Sequence, residues 1–364
     1  MVLVVAGIIA AGAISIALTP GPHQSATTVT SSSQNAGTII QNSTTSTNTG
    51  ACALKVDQNF TVGSSLLYEG EIAYDPTNAL LYVSSPSTGS IYAISATNGS
   101  VKAKISGLGS PGDLAYDPSN GDIYYSNISS DTVSVINTTT NAVVANITLG
   151  NGPSQIAYDP LNQEMYVSVA GTANGYSITG SGVFAISDTS NVTNISQAPF
   201  PDEIAFDAKD GFMYVANGGD NETIFNATNN SFAGIVFLRQ ASGYSYVSYE
   251  PVNGNLYFAN YGSNAIIVVN GTENSHPSYS ILNSILTNVS IPYAPSAMAS
   301  YPAGGSIWVG TNATGGILSI ISGSSNTATN FHIHFTPTSF AYDATNKEMF
   351  ALSLPNQVLG LSCG

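Results

Sequence analysis

The sequence predicts an all-β protein, a seven-bladed β-propeller built from four-stranded blades. Three observations predict it: one phrase recurs seven times, its copies are nearly evenly spaced, and each interval holds four short β-like segments. The phrase is apolar-Ala-Tyr-Asp-Pro, a few turn residues, then Tyr-Val and a small residue. Its turn position falls on Asp75, Asp117, Asp159, Asp207, Glu250, Tyr301 and Asp343, at intervals of 42, 42, 48, 43, 51 and 42 residues. Four strands in a period of roughly 40–45 residues are the signature of a propeller blade.

Each element of a blade follows from its own residues. In the second unit the phrase leads into segments 122–126, 132–136 and 142–148, where apolar and β-branched residues alternate with polar ones. The Asp-Pro-x-Asn-Gly link is turn chemistry: Asp bonds its own backbone, Pro presets φ, and Gly accepts a positive φ. The turn acids recur because the turn recurs, so Asp75, Asp117, Asp159, Asp207 and Asp343 read as structural rather than catalytic.

The seventh unit supplies segments 340–342, 348–353 and 357–362 but no outer strand. Segment 55–62 precedes the first repeat and belongs to no complete blade. Aligned to the second unit, Phe60-Thr61-Val62-Gly63 matches Ile147-Thr148-Leu149-Gly150. The N-terminal strand is therefore expected to complete blade seven and close the ring, hiding two open sheet edges. The same alignment sets Cys52 opposite Thr139 and Cys363 opposite Thr138, neighbours in an outer hairpin. It predicts a Cys52–Cys363 disulfide, and with it an oxidising compartment.

Three domains are expected: residues 1–18, 19–50 and 51–364. The first is an apolar run long enough to span a bilayer. It reads as an uncleaved transmembrane anchor or, alternatively, as a signal segment removed on secretion. The second is a Ser/Thr/Asn-rich stalk unable to bury a core, and the third is the propeller. Only 7% of residues are charged, and the formal net charge is −15. That balance excludes a nucleic-acid partner held by a basic patch. Asn, Ser, Thr and Tyr cover the surface instead, and such a surface changes little in acid, which points to an acidic habitat.

The repeated Tyr82-Val83, Tyr124-Tyr125-Ser126-Asn127, Tyr166-Val167, Tyr214-Val215-Ala216-Asn217 and Tyr257-Phe258-Ala259-Asn260, with the segment VSVINTTTNAVVANITLG at 133–150, resemble the YVTN-repeat family. That family comprises seven-bladed propellers within the lactonase-like superfamily. The resemblance covers residues 51–364. It implies an archaeal or bacterial surface protein and no single activity. Trp308 and Phe350 stand where the motif has Tyr in blades six and seven.

Three groups of candidate site residues emerge. Asn-x-Ser/Thr sequons in the propeller lie at Asn59, Asn98, Asn127, Asn137, Asn146, Asn191, Asn194, Asn221, Asn226, Asn229, Asn270, Asn288 and Asn312, candidate glycosylation sites; Asn42 adds one in the stalk. The residue four before each turn position is Glu71, Asp113, Gln155, Glu203, Tyr246, Ala297 and Ser339. In a propeller these positions approach the central channel mouth, so Glu71, Asp113, Gln155 and Glu203 form a candidate oxygen-rich set for Ca²⁺ or Mg²⁺. His332 and His334, two apart on an expected outer strand, would face one side. Insertions near 172–182 in blade three and 271–286 in blade five are candidate recognition loops.

No nucleophile elbow, Walker loop, dinucleotide fingerprint or zinc-protease helix is present in the sequence. The reading is a non-enzymatic extracellular propeller, membrane-anchored at the cell surface, binding envelope proteins or glycans. The alternative is a metal-dependent lactonase-type hydrolase using Glu71, Asp113 and Glu203.

Overall fold

The computed structural model describes residues 52–62, 70–150, 152–174, 177–196, 200–218, 221–238, 245–260, 262–271 and 285–363. The expected anchor and stalk, and most of the blade-five insertion, lie outside the described residues. Seven antiparallel four-stranded sheets are present, each a simple meander except at the closing blade. Blade two is Pro111–Asp117, Asp122–Asn127, Thr132–Asn137 and Ala142–Thr148. The first strand of every blade packs against the first strands of both neighbours, the seventh against the first, so the ring is closed around an axis.

The repeated acid makes its turn as expected. Asp75 Oδ1 accepts hydrogen bonds from the Thr77 and Asn78 N–H groups, and Asp343 Oδ1 from those of Thr345 and Asn346. Glu250 does the same through both oxygens to Val252 and Asn253. The residue four beyond each turn position has a positive φ in all seven blades. Gly fills it in four of them, including Gly121 at 79°, while Ala79, Gln163 and Lys347 adopt the left-handed conformation without that freedom.

A four-stranded blade is apolar on both faces and cannot bury them alone. Accordingly there are seven apolar clusters, one at each interface between consecutive blades, including that between blades seven and one. The motif tyrosines sit inside them. Tyr82, Tyr166 and Tyr257 are fully buried, and each hydroxyl reaches into the next blade. Tyr82 donates to Asn141 Oδ1 at 2.9 Å and Tyr257 to Asn326 Oδ1 at 3.1 Å, while Tyr166 donates to Asn230 Oδ1. All three acceptors have positive φ in the hairpin joining their blade's third and outer strands. The turn Asn completes the link: Asn253 Nδ2 donates to Tyr257 Oη at 2.9 Å and to the Gly323 carbonyl at 2.9 Å. The spacing of the phrase thus joins each such blade to its successor.

Closure follows the predicted register. Leu54–Thr61 pairs antiparallel with Gln357–Cys363, and Thr61 faces Gln357 as Thr148 faces Thr132. Even the outer-strand bulge recurs, between Val56 and Gln58 in the closing blade and between Val143 and Ala145 in blade two. Cys52 and Cys363 form a disulfide across a sequence separation of 311 residues, where the other blades have a covalent hairpin.

The divergence of blade six has its reason here. Its successor lacks the hairpin Asn, so a Tyr hydroxyl at position 308 would have no such acceptor. Trp308 is fully buried there and stacks on Tyr301 at 4.8 Å. Both cysteines pack against the cluster that holds this pair. Tyr301, in place of the turn acid, donates its hydroxyl to the Lys347 carbonyl at 2.8 Å and so reaches blade seven itself.

Locking so long a loop restricts the unfolded chain by about 5 kcal/mol in the chain-entropy model. Reduction, or Cys52→Ser with Cys363→Ser, is therefore expected to lower the midpoint of denaturant unfolding markedly without changing the far-ultraviolet dichroism of the folded state. An unchanged midpoint would contradict that role.

Candidate functional site

The inner strands converge on a polar cavity of ≈ 160 Å³. Glu71, Asp113, Gln155, Glu203, Tyr246, Ala297 and Ser339, the residue four before each turn position, all line it. Their positions are fixed by a repeated device. Ser84, Ser126 and Ser168 on the second strands accept hydrogen bonds from the N–H groups of Glu71, Asp113 and Gln155 at 2.8, 3.0 and 3.0 Å. The small residue after Tyr-Val in the phrase is thus the one that seats the channel residue.

Side chains also tie neighbouring blades across the channel wall. Asp113 Oδ2 accepts the Ile156 N–H at 2.6 Å, and Ser339 Oγ accepts the Ile72 N–H at 3.3 Å. Tyr246 donates to the Ser296 carbonyl at 3.3 Å, and Ser296 Oγ to the Pro337 carbonyl at 2.8 Å. The wall is asymmetric: carboxyl groups come from blades one, two and four, and neutral residues from blades five to seven.

The carboxyls are accessible only in part, and that part opens on the confined channel. Withdrawal from bulk water is the first cause that raises their pKa values. Glu71 is raised well above the usual range by desolvation and then by the Asp113 charge, opposed by a hydrogen bond from Ser339. Asp113 is raised by desolvation, which outweighs its backbone hydrogen bonds from Ile156 and Leu114. Glu203 is raised by desolvation, then by Asp202, Asp113 and Glu71. Asp202, whose charge acts on Glu71 and Glu203 and which the repeat pattern did not single out, is pushed up to about 6 by desolvation. Its only sequence signal is adjacency to Glu203. Every lysine is exposed, so none neutralises this set from within. The site can hold protons near neutral pH, donate hydrogen bonds and attract a small cationic or polar molecule.

The expected oxygen-rich set comes together at the cavity. Among the described residues no group of three or more His, Cys, Asp or Glu side chains is arranged to hold a metal ion. Glu71, Asp113, Gln155 and Glu203 do line one cavity, but they come from separate blades, and Asp113 spends an oxygen on Ile156.

The outer strand of blade six ends at His332, and His334 has φ 59°, yet both rings are exposed while Ile333 and Phe335 turn into the core. One sequon expectation changes: Asn127 is 7% exposed, with its Nδ2 donating to the Leu108 carbonyl, so the folded ring leaves no room for a sugar there. The blade-three insertion forms a small hairpin, Thr172–Asn174 with Ser177–Thr179.

No family model matches the chain, and no curated protein matches it. Its fold is similar to that of solved propellers. The Kuenenia stuttgartiensis hydrazine synthase structure superposes with a TM-score of 0.65 at 14% identity, covering 82% of this chain and 96% of that one. A streptogramin B lyase structure superposes with a TM-score of 0.67 at 13% identity, covering 85% and 97%. At such identities the likeness establishes the propeller fold alone.

An acid whose pKa is raised in the native state binds its proton more tightly there than when unfolded. Stability is then greatest in acid and falls as pH rises from about 4, the unfolded carboxyl range, through the raised native values. Glu348, raised to about 7 mainly by burial, adds to the channel set. The thermal midpoint is expected to fall between pH 5 and pH 8, and Glu71→Gln with Glu203→Gln should flatten that slope. A midpoint that climbs over this range would contradict the raised values.

Proposed function

We propose that this chain is a YVTN-type propeller of the cell surface, anchored through its N-terminal segment and acting as a binding or structural module of the envelope. The observation that carries this reading is the ring-closing disulfide, Cys52–Cys363, because such bonds persist outside the reducing cytoplasm. Strand direction adds an orientation. Leu54–Thr61 runs antiparallel to Gln357–Cys363, so the chain enters the ring at the end where third and outer strands are joined. The channel carboxyls lie toward the opposite end, at the start of the first strands. The blade-three hairpin, between second and third strands, lies at that end too. The tether point and the channel mouth therefore lie at opposite ends of the ring, which leaves the mouth and this hairpin free to meet envelope proteins or glycans.

A second reading is a hydrolase of the lactonase type. It draws support from the desolvated carboxyls Glu71, Asp113 and Glu203, since a carboxyl still protonated near neutral pH can serve as a general acid.

Treating intact cells with a membrane-impermeant amine reagent tests the first reading, because the lysines are all exposed. Labelling before lysis is expected; labelling only after lysis would overturn it. Hydrolysis of a lactone panel that is abolished by Glu71→Gln would favour the second.

A further inference from the structure

The sequons are alike in sequence but not in structure. In Asn137 the amide nitrogen donates to Asp122 Oδ1 at 3.1 Å, and in Asn191 to Ser187 Oγ at 2.7 Å. Asn98, Asn226 and Asn229 use Oδ1 to cap their own turns. Four others sit inside outer strands rather than in hairpin turns. Asn59, Asn146, Asn194 and Asn288 are exposed, and no hydrogen bond engages their Nδ2.

These four share one place in the fold. Asn146 faces Ser134, Asn59 faces Leu359, Asn194 faces Phe184 and Asn288 faces Ile267. In each pair the partner is the third residue of its strand's common register, so the four Asn occupy the same point on the outer strands of blades two, seven, three and five. The outer strand pairs on one side only, which leaves its other edge open. The residue after each Asn is apolar and turns inward, as Ile147 and Val289 do at 4% and 5% exposure. In blades two, five and seven strand alternation then returns the hydroxyl residue to the side of the Asn, where Thr148, Ser290 and Thr61 are exposed; in blade three a bulge falls between Asn194 and Ser196.

We infer that Asn59, Asn146, Asn194 and Asn288 carry N-linked glycans that cap the open outer edges of four blades. The inference rests on the extracytoplasmic placement proposed above. The transfer joins Asn Nδ2 to the anomeric carbon of a lipid-phosphate-activated sugar. The bond from that carbon to phosphate oxygen breaks, the lipid phosphate leaves with the electron pair, and an amide proton is lost. A bulky hydrated group at an unpaired strand edge blocks pairing with a second sheet, a task suited also to the exposed Lys102 and Lys104 on the outer strand of blade one, which carries no such sequon.

Blade six supplies a built-in control. Asn330 occupies the equivalent position, and Ser319 Oγ donates to its Oδ1 at 2.7 Å, just as Ser134 Oγ donates to that of Asn146. The following residues are Phe331 and His332, so it lacks only the hydroxyl residue of Asn59-Phe60-Thr61.

Glycopeptide mapping of the protein purified from the cells that make it tests the inference. Sugar is expected on Asn59, Asn146, Asn194 and Asn288, with Asn127 and Asn330 bare. His332→Thr should add a glycan at Asn330, and Thr148→Val should remove the one at Asn146. Sugar confined to other sequons, or none on a protein that surface labelling finds outside the cell, would overturn the inference while leaving the placement intact. A bare protein that labels only after lysis would overturn both.

Discussion

A sheet that is apolar on both faces has to be covered on both faces, and in this chain only another copy of the same sheet does so. Every other feature depends on that constraint. Seven interfaces bury seven apolar clusters, and burial supplies the main stabilisation. Burial alone does not set how one blade lies on the next. The hydroxyls of Tyr82, Tyr166 and Tyr257 do, because a fully buried hydroxyl is costly unless it finds a partner, and the partner waits in the next blade's hairpin at Asn141, Asn230 and Asn326. The scarcity of charge then has a cause. These links between blades use neutral hydroxyls and amides, with the buried acids kept for the turns, so they need no ion pairs.

Blade seven shows what happens when the arrangement is interrupted. The closing strand comes from the far end of the chain, so the hairpin that would present an Asn is missing. The gap is filled from both sides, by the Cys52–Cys363 bond in blade seven and by Trp308 stacked on Tyr301 in blade six. Trp308 Nε1 finds no partner in that site, so bulk and stacking replace the hydrogen bond used elsewhere. Two substitutions that look like decay of the repeat in blade six are thus a local response to how the ring closes.

Local rules made much of this legible in the sequence. Turn acids, alternation and period are short-range signals, and repetition multiplied them until the fold, the closing register and the disulfide could all be placed. The seven channel positions followed from counting back from the turn. What stayed hidden depends on side-chain direction across distant segments. Asp202 joins the carboxyl set through space. Asn127 and Asn146 share a sequon pattern, yet one amide is consumed by a buried carbonyl and the other faces solvent. Four oxygen-bearing residues counted back from the turn do meet at one cavity, but the burial that raises the pKa values of its carboxyls has no signal in the spacing. The partnership between Tyr257 and Asn326, 69 residues apart, has no local signature at all.

The central claim is that the repeated Tyr is a connector between blades as well as a core residue. A double-mutant cycle on Tyr257→Phe and Asn326→Ala, read by denaturant unfolding, tests it most directly. A connector predicts coupling of about 0.5–3 kcal/mol, the range for residues sharing a hydrogen bond. Effects that simply add, within about 0.3–0.5 kcal/mol, would mean that Tyr257 only fills space and that something else aligns the blades.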